Sequence, residues 1–206
     1  KYGCTGTFYV CPVRQHNVPM LAEQQIRELD QRHEVGAHTL RHPRLTSIVE
    51  AEARHEIGGS KRWIEDITGR ECTMFCYPKG DCSPAVAGLV REAGFKGRRT
   101  TEALQFTVPD PFLMPTTLHV YPFPWRKHFS RWWHPLDPLG PYRVKRRRIR
   151  ELGIPFSECR TWLRFAIALF EHAHHARLPI FHLWGHSEEI SRHGMWDDFE
   201  AFLKHV

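Results

Sequence analysis

The sequence predicts an α/β protein whose strands run parallel and are joined by helical crossovers. Short apolar runs alternate with segments of helical periodicity along most of the 206 residues, the pattern of strand–helix–strand units. Helix start and stop residues fall between these runs: Pro19, Ser83–Pro84, Gly69 and Gly94. The chain is long enough for one domain with a sizeable core, and it shows no internal repeat. A barrel and a doubly wound sheet both satisfy this pattern.

The elements follow in order. "GTFYV" (6–10) reads as a buried strand, and residues 19–32 place apolar side chains at helical spacing after Pro19. "EVGAH" (34–38) is a second strand. Residues 46–69 read as one long helix, with Thr46 as cap, Gly69 as stop and the Gly58–Gly59 pair weakening the middle. "TMFCY" (73–77) is a third strand. A helix over 83–94 starts at Ser83–Pro84 and stops at Gly94. "FKGRRT" (95–100) and "TTLHVY" (116–121) are short strands. Residues 157–177 form a helix, "IFHLWGH" (180–186) a strand, and 194–206 a final helix. Residues 122–156, rich in Pro, Trp and Arg, lack clear periodicity and read as an insertion or long loop, with room for a short helix across 143–151.

Composition is that of an ordinary globular protein, 41% hydrophobic and 25% charged. No run of 18 apolar residues occurs, so no membrane span is expected. The net charge of +6 is concentrated: residues 126–150 hold nine Lys/Arg and a single acid, Asp137. The six cysteines form no C-x-x-C pair, which argues against a zinc ribbon or thioredoxin motif. Their scatter fits a reducing compartment, and so the cytoplasm, better than a disulfide framework.

Chemistry in a parallel α/β protein collects at the carboxyl ends of the strands. His38 closes the strand "EVGAH". His42 follows four residues later, and Pro43 turns the chain away. Two imidazoles so placed can share one zinc-like ion; the alternative is a pair of surface or capping histidines. "YPKG" (77–80) ends the next strand in a turn for which Gly80 supplies the flexibility. His182 and His186 fall on one face of a period-2 strand, with His186 nearer its carboxyl end. Trp184 shares that face, as pocket wall or as core. Arg98 and Arg99 are either substrate contacts or a solvated basic turn.

Several of these stretches, in order, resemble the motifs of the NodB-type polysaccharide deacetylases (carbohydrate esterase family 4). "HTLRHP" is similar to the family's H-[ST]-x-x-H-P, "MFCYPKGDCSPAV" to its F-x-Y-P-x-G motif, and "FHLWGHSEEI" to a version of its last motif. "KYGCTGTFYV" resembles the family's second strand and "REAGFKGRRTTE" the segment after the third motif. The resemblance spans nearly the whole chain except 122–156. It implies a distorted (β/α) barrel acting as a single domain over 1–206. It also implies removal of N- or O-linked acetyl groups from a polysaccharide or acylated sugar, with a divalent metal, zinc first, then cobalt, manganese or nickel.

In residue terms the resemblance makes His38 and His42 metal ligands and His186 the catalytic acid, with His182 as the alternative acid. Tyr77, Pro78, Lys79 and Gly80 line the oxyanion or substrate site, the Lys79 N–H meeting the oxyanion, and Trp184 walls it. The chemistry implied is removal of a water proton by a carboxylate, polarisation of the acetyl carbonyl by the metal, and protonation of the leaving group by an imidazolium. The family's aspartate pair precedes the "KYG" segment and has no counterpart here; Asp197–Asp198 sits in the last helix. Where many members carry an arginine two residues before the motif's proline, this chain has Cys76. The expectation is therefore a barrel lacking its first strand, and a chain with little turnover by itself. Two other readings stay open: a sugar-binding pseudoenzyme, and binding of nucleic acid or an anionic surface through residues 126–150. Acetylated carbohydrate is the expected partner, and nucleic acid is not.

Overall fold

A computed structural model describes residues 3–13, 20–127 and 132–206. Pro19, Arg131 and the opening Lys1–Tyr2, all used in the sequence reading, lie outside the described residues. The chain forms two compact units, one of residues 3–101 and 108–114, the other of 102–107 and 115–206.

The first unit is a four-stranded parallel sheet. Its strands are β1 (Thr7–Val10), β2 (Glu34–Ala37), β3 (Met74–Cys76) and β4 (Gly97–Arg99), paired in sequence order. Val10 stands opposite Ala37, Ala37 opposite Phe75, and Cys76 opposite Arg99, so the carboxyl ends of the strands are level. Crossovers run through α1 (Glu23–Asp30), α2 (Glu50–Thr68) and α3 (Pro84–Glu92), as parallel pairing demands. The core between sheet and helices includes Ile26, Ala37, Ile57, Ile64, Phe75 and Val90, all at most 1% exposed.

Helix punctuation follows the sequence closely in α3, where Ser83 Oγ accepts the Val86 N–H at 3.3 Å and Pro84 opens the helix. α2 stops at Gly69, whose φ of 69° only glycine adopts without strain. Its start differs from the expectation. Thr46 sits in a one-turn 3-10 helix, Leu45–Ser47, and donates its hydroxyl to Asp81 instead of capping α2, which begins at Glu50. The Gly58–Gly59 pair lies inside an unbroken α2; packing of the flanking Ile57 and Ile64 outweighs the roughly 1 kcal/mol that each glycine costs a helix.

The second unit pairs β5 (Leu118–His119) with β6 (Leu183–Trp184), again parallel. α4 (Gly140–Glu151) and α5 (Trp162–His175) lie between these strands in sequence, and α6 (Ser187–Arg192) and α7 (Trp196–His205) follow them. Thr161 caps α5 by accepting the Arg164 N–H at 3.2 Å. The core is aromatic: Trp162, Phe165 and Phe202 are at most 2% exposed, packed with Leu169 and Ile149. Ile149 belongs to α4, which lies where a short helix was expected over 143–151, and its burial ties that part of the basic stretch to the core. The strand expected over 180–186 is hydrogen-bonded as strand only at 183–184, and α6 lies where no element was predicted.

The tightest polar device in the first unit is Glu56, fully buried on α2. Its Oε2 accepts the N–H groups of Leu40 and Arg41, both at 2.9 Å, and its Oε1 accepts Arg41 Nε at 2.6 Å. Removing a carboxylate that satisfies two backbone donors leaves both unpaired. Glu56→Ala is expected to cost about 2–4 kcal/mol, and Glu56→Gln less, because one amide oxygen still accepts. Urea unfolding of the variants reads the difference; an Ala variant as stable as wild type would remove Glu56 from this role.

Candidate functional site

At the carboxyl end of β2 the chain leaves the sheet through His38, Thr39, Leu40, Arg41 and His42. Thr39 and His42 both take left-handed backbone, at φ 64° and 59°. β-branched Thr39 is fully buried there, a costly conformation that the surroundings must impose. Glu56 imposes it through the Leu40 and Arg41 amides, and Thr39 Oγ1 accepts the His42 N–H at 3.0 Å.

The result sets two imidazoles side by side. The rings of His38 and His42 have centroids 4.7 Å apart and planes inclined at 70°. His38 Nδ1 lies 2.7 Å from the carbonyl oxygen of Cys76, at the end of β3. A carbonyl can only accept, so Nδ1 carries the proton and the Nε2 lone pair is directed elsewhere. That is the arrangement in which a histidine ligates a metal through one nitrogen while a carbonyl orients it through the other. The donor set therefore fits a divalent metal, with His38 and His42 as the residues that would hold it. Cys76 contributes its carbonyl here, and burial pushes its thiol up to about 12.

The neighbouring strand ends in a second left-handed turn. Lys79 has φ 59° and Gly80 φ 68° within the 3-10 turn Pro78–Gly80, and the Gly80 N–H donates to Tyr77 O at 3.0 Å. Tyr77 and Pro78 are buried while Lys79 is exposed. Burial raises the Tyr77 hydroxyl pKa, so it remains a neutral phenol. Asp81 joins the two turns, accepting Thr46 N–H at 2.9 Å and Thr46 Oγ1 at 2.7 Å. Three non-glycine residues in left-handed conformation at two adjacent strand ends are strain of the kind found at functional sites. Arg98 is not a solvated turn residue: it is 2% exposed, with its guanidinium 5.2 Å from the Tyr77 ring centre and 5.3 Å from that of Phe112.

In the second unit the residues after β6 form a separate cluster. His186 precedes α6, and its Nδ1 lies 2.5 Å from Glu189 Oε2. The same oxygen lies 3.3 Å from His119 Nε2 at the end of β5. Trp184 stacks on His119 at 3.9 Å and 6°, and its ring centroid is 5.4 Å from that of His186, which lies beyond the two-residue β6. His182 is half-buried and lies just before β6; its N–H donates to Thr117 Oγ1 at 3.0 Å and its carbonyl accepts the Leu118 N–H at 3.1 Å. Burial lowers the His119 pKa, against the pull of Glu189. Hydrogen bonds from His119 and then His186 hold the Glu189 carboxyl well below the usual glutamate range. Sequence reasoning found His186 but missed His119 and Glu189; the available signal was a carboxylate three residues after a strand-end histidine.

These features define a parallel α/β protein with chemistry-bearing side chains at its strand ends. Residues 1–97 match the family model described as polysaccharide deacetylase, the family whose motifs the sequence resembles. No curated protein matches the chain in sequence. Among solved structures it is similar to the deacetylase PplD of Streptococcus pyogenes, solved in complex with acetate. The two are 17% identical with a TM-score of 0.52, over 56% of this chain and 53% of that one. A polysaccharide deacetylase from Bacillus cereus aligns at 24% identity and TM-score 0.48, over 55% of this chain and 37% of that one. A family 4 pseudoenzyme from Bacillus anthracis aligns at 15% identity and TM-score 0.44, over 89% of this chain and 45% of that one. The match thus spans about half of the first structure or less of the others. The fold is the α/β, parallel-stranded type of the NodB deacetylases.

Two measurements probe these turns. A Cβ on Gly80 would clash with Thr101 Oγ1, at a φ that disfavours any side chain. Gly80→Ala is expected to destabilise by about 1–2 kcal/mol, read as a lower unfolding midpoint. Glu189 has a depressed folded-state pKa, so its contribution is complete above the ordinary glutamate pKa of about 4.3. It is lost as pH falls through the lower folded value. The stability lead of wild type over Glu189→Gln should therefore shrink on acidification below about pH 4. A lead that stays constant from neutral to acid pH in thermal unfolding would rule out this carboxylate's hydrogen bonds as its source.

Proposed function

We propose that this chain is the metal-holding part of a metal-dependent deacetylase acting on an acetylated carbohydrate, as one deacetylase-type domain. One observation carries the reading: the His38–His42 ring pair with His38 oriented by the Cys76 carbonyl. The family match of residues 1–97, which include both histidines and the Tyr77–Gly80 turn, supports it.

A divalent metal supplies Lewis acidity toward an acetyl carbonyl and its attacking water. The chain's residues do the remainder. His38 and His42 present ring nitrogens from a turn fixed by Glu56. The left-handed Lys79–Gly80 turn aims a backbone N–H at developing oxyanion charge, and Tyr77 and Pro78 form its dry backing. His186, paired with Glu189 and next to Trp184, is the proton donor that the resemblance implies. His182 remains the alternative donor. A carboxylate base is not assigned to any residue of this chain.

The second reading is a non-catalytic sugar-binding role, in which the same strand-end residues hold a sugar without turnover. Nucleic-acid binding through residues 126–150 has less support. Arg143 pairs with Asp137 at 2.7 Å, and Arg147 and Arg148 pair with Glu151 at 3.0 and 3.3 Å, so part of the basic charge is already matched. No described helix is long and apolar enough to cross a membrane.

The test is acetate release from acetylated chitooligosaccharides and acetyl-xylan with zinc or cobalt added. It is run on this chain and on the same chain extended upstream by a strand bearing the family's aspartate pair. The extended chain is expected to release acetate only with metal. Activity should fall about 10²–10⁴-fold in His186→Ala and vanish in the His38→Ala, His42→Ala double variant. Metal-independent release, or none on any acetylated sugar, refutes the enzymatic reading; sugar binding without release supports the second one.

A further inference from the structure

We propose that His119, His186 and Glu189 form a divalent-metal site of the two-histidine, one-carboxylate type, with ligands other than His38 and His42. The three side chains come from the end of β5, the residue before α6 and the first turn of α6, and one ligand atom from each lies within 4.8 Å of the other two. Glu189 Oε2 is the centre of the group, 2.5 Å from His186 Nδ1 and 3.3 Å from His119 Nε2. Ligands of a tetrahedral zinc-like ion at 2.0–2.2 Å stand about 3.3 Å from one another. The His119–Glu189 separation already has that value, and His186 and Glu189 need to part by less than about 1 Å.

The donors are also held as ligands must be. His119 lies in a stack between Trp184, at 3.9 Å and 6°, and Tyr121, at 5.2 Å and 18°. Its own backbone oxygen is fixed by Trp162 Nε1 at 2.8 Å. The imidazole plane is thus set before any ion arrives, which lowers the entropy of assembling the site. Gly185, His186 and Ser187 are exposed, so the ion has an entry path and a fourth position open to water. Two imidazoles and one carboxylate carry a single negative charge and suit zinc, cobalt or nickel better than calcium or magnesium, which prefer all-oxygen shells.

An ion here engages the same His186 that serves as proton donor in the proposed function, so on that reading the two uses exclude each other. The site itself does not depend on that reading.

The experiment is equilibrium dialysis of zinc, and cobalt(II) visible spectroscopy, on the metal-free chain and four variants. His119→Ala and Glu189→Gln should each remove one bound ion per chain, or weaken one site at least tenfold, and abolish the corresponding four-coordinate cobalt absorption. The His38→Ala, His42→Ala double variant should retain that ion and its spectrum. His119→Phe keeps a ring in the stack but offers no ligand; it should behave as His119→Ala does, and it carries the test if the alanine variant unfolds. The proposal is overturned if the double variant binds no ion, or if His119→Phe and Glu189→Gln leave stoichiometry and affinity unchanged. Failure of the His38–His42 reading looks different: the double variant would then bind as many ions as the unaltered chain.

Discussion

A single buried carboxylate sets the geometry on which the first unit's chemistry depends. Glu56 lies in the middle of α2 with no exposure to solvent, yet its bonds go to the loop after β2 and not to its own helix. Two backbone amides and one guanidinium converge on it, which is how a buried charge becomes tolerable. Arg41 closes the circuit outward by reaching Glu52 at 2.8 Å. The loop has no freedom left to relax Thr39 or His42 into ordinary backbone, and the strain stored there is opposed by bonds one helix away. Structure is thus spent at α2 so that two rings can meet at β2.

The second unit solves a similar problem with different means. Its strand-end histidine is immobilised by aromatic faces on both sides and a carboxylate at its edge, and the core beneath is built from Trp162, Phe165 and Phe202. Stacking fixes the ring plane, and Glu189 Oε2 stands 3.3 Å from Nε2 at the ring edge. A carbonyl orients His38 in the first unit, and a carboxylate pairs with His186 in the second.

Local signals made much of this legible. The Ser83–Pro84 start and Gly69 stop are encoded within a few residues, and so are the strands around Val35 and Phe75, because their apolar side chains fill a sheet core directly. His38, His42 and the Tyr77–Gly80 turn were readable for the same reason: each motif is contiguous. Glu56 was not, since in sequence it is one more helical glutamate. Only its position between Ala53 and Ser60, both buried on the same face, marks it as an inward residue. His119 and Glu189 meet from elements 70 residues apart in number, across a strand pair only two residues long, and periodicity carries no information about such an encounter. The start of α2 was misplaced because Thr46 looks like a cap until its partner, Asp81, is seen.

That last pairing has a bearing on how the sequence can vary. Thr46 is exposed and Asp81 only half-buried, and each looks replaceable when judged by exposure alone. Together they tether the loop carrying His42 to the loop carrying Lys79 and Gly80. A change at one position leaves the other without its reason to be there, so drift at the two should be correlated. Across relatives, a hydroxyl at the first position ought to travel with a carboxylate at the second, and losses ought to come in pairs.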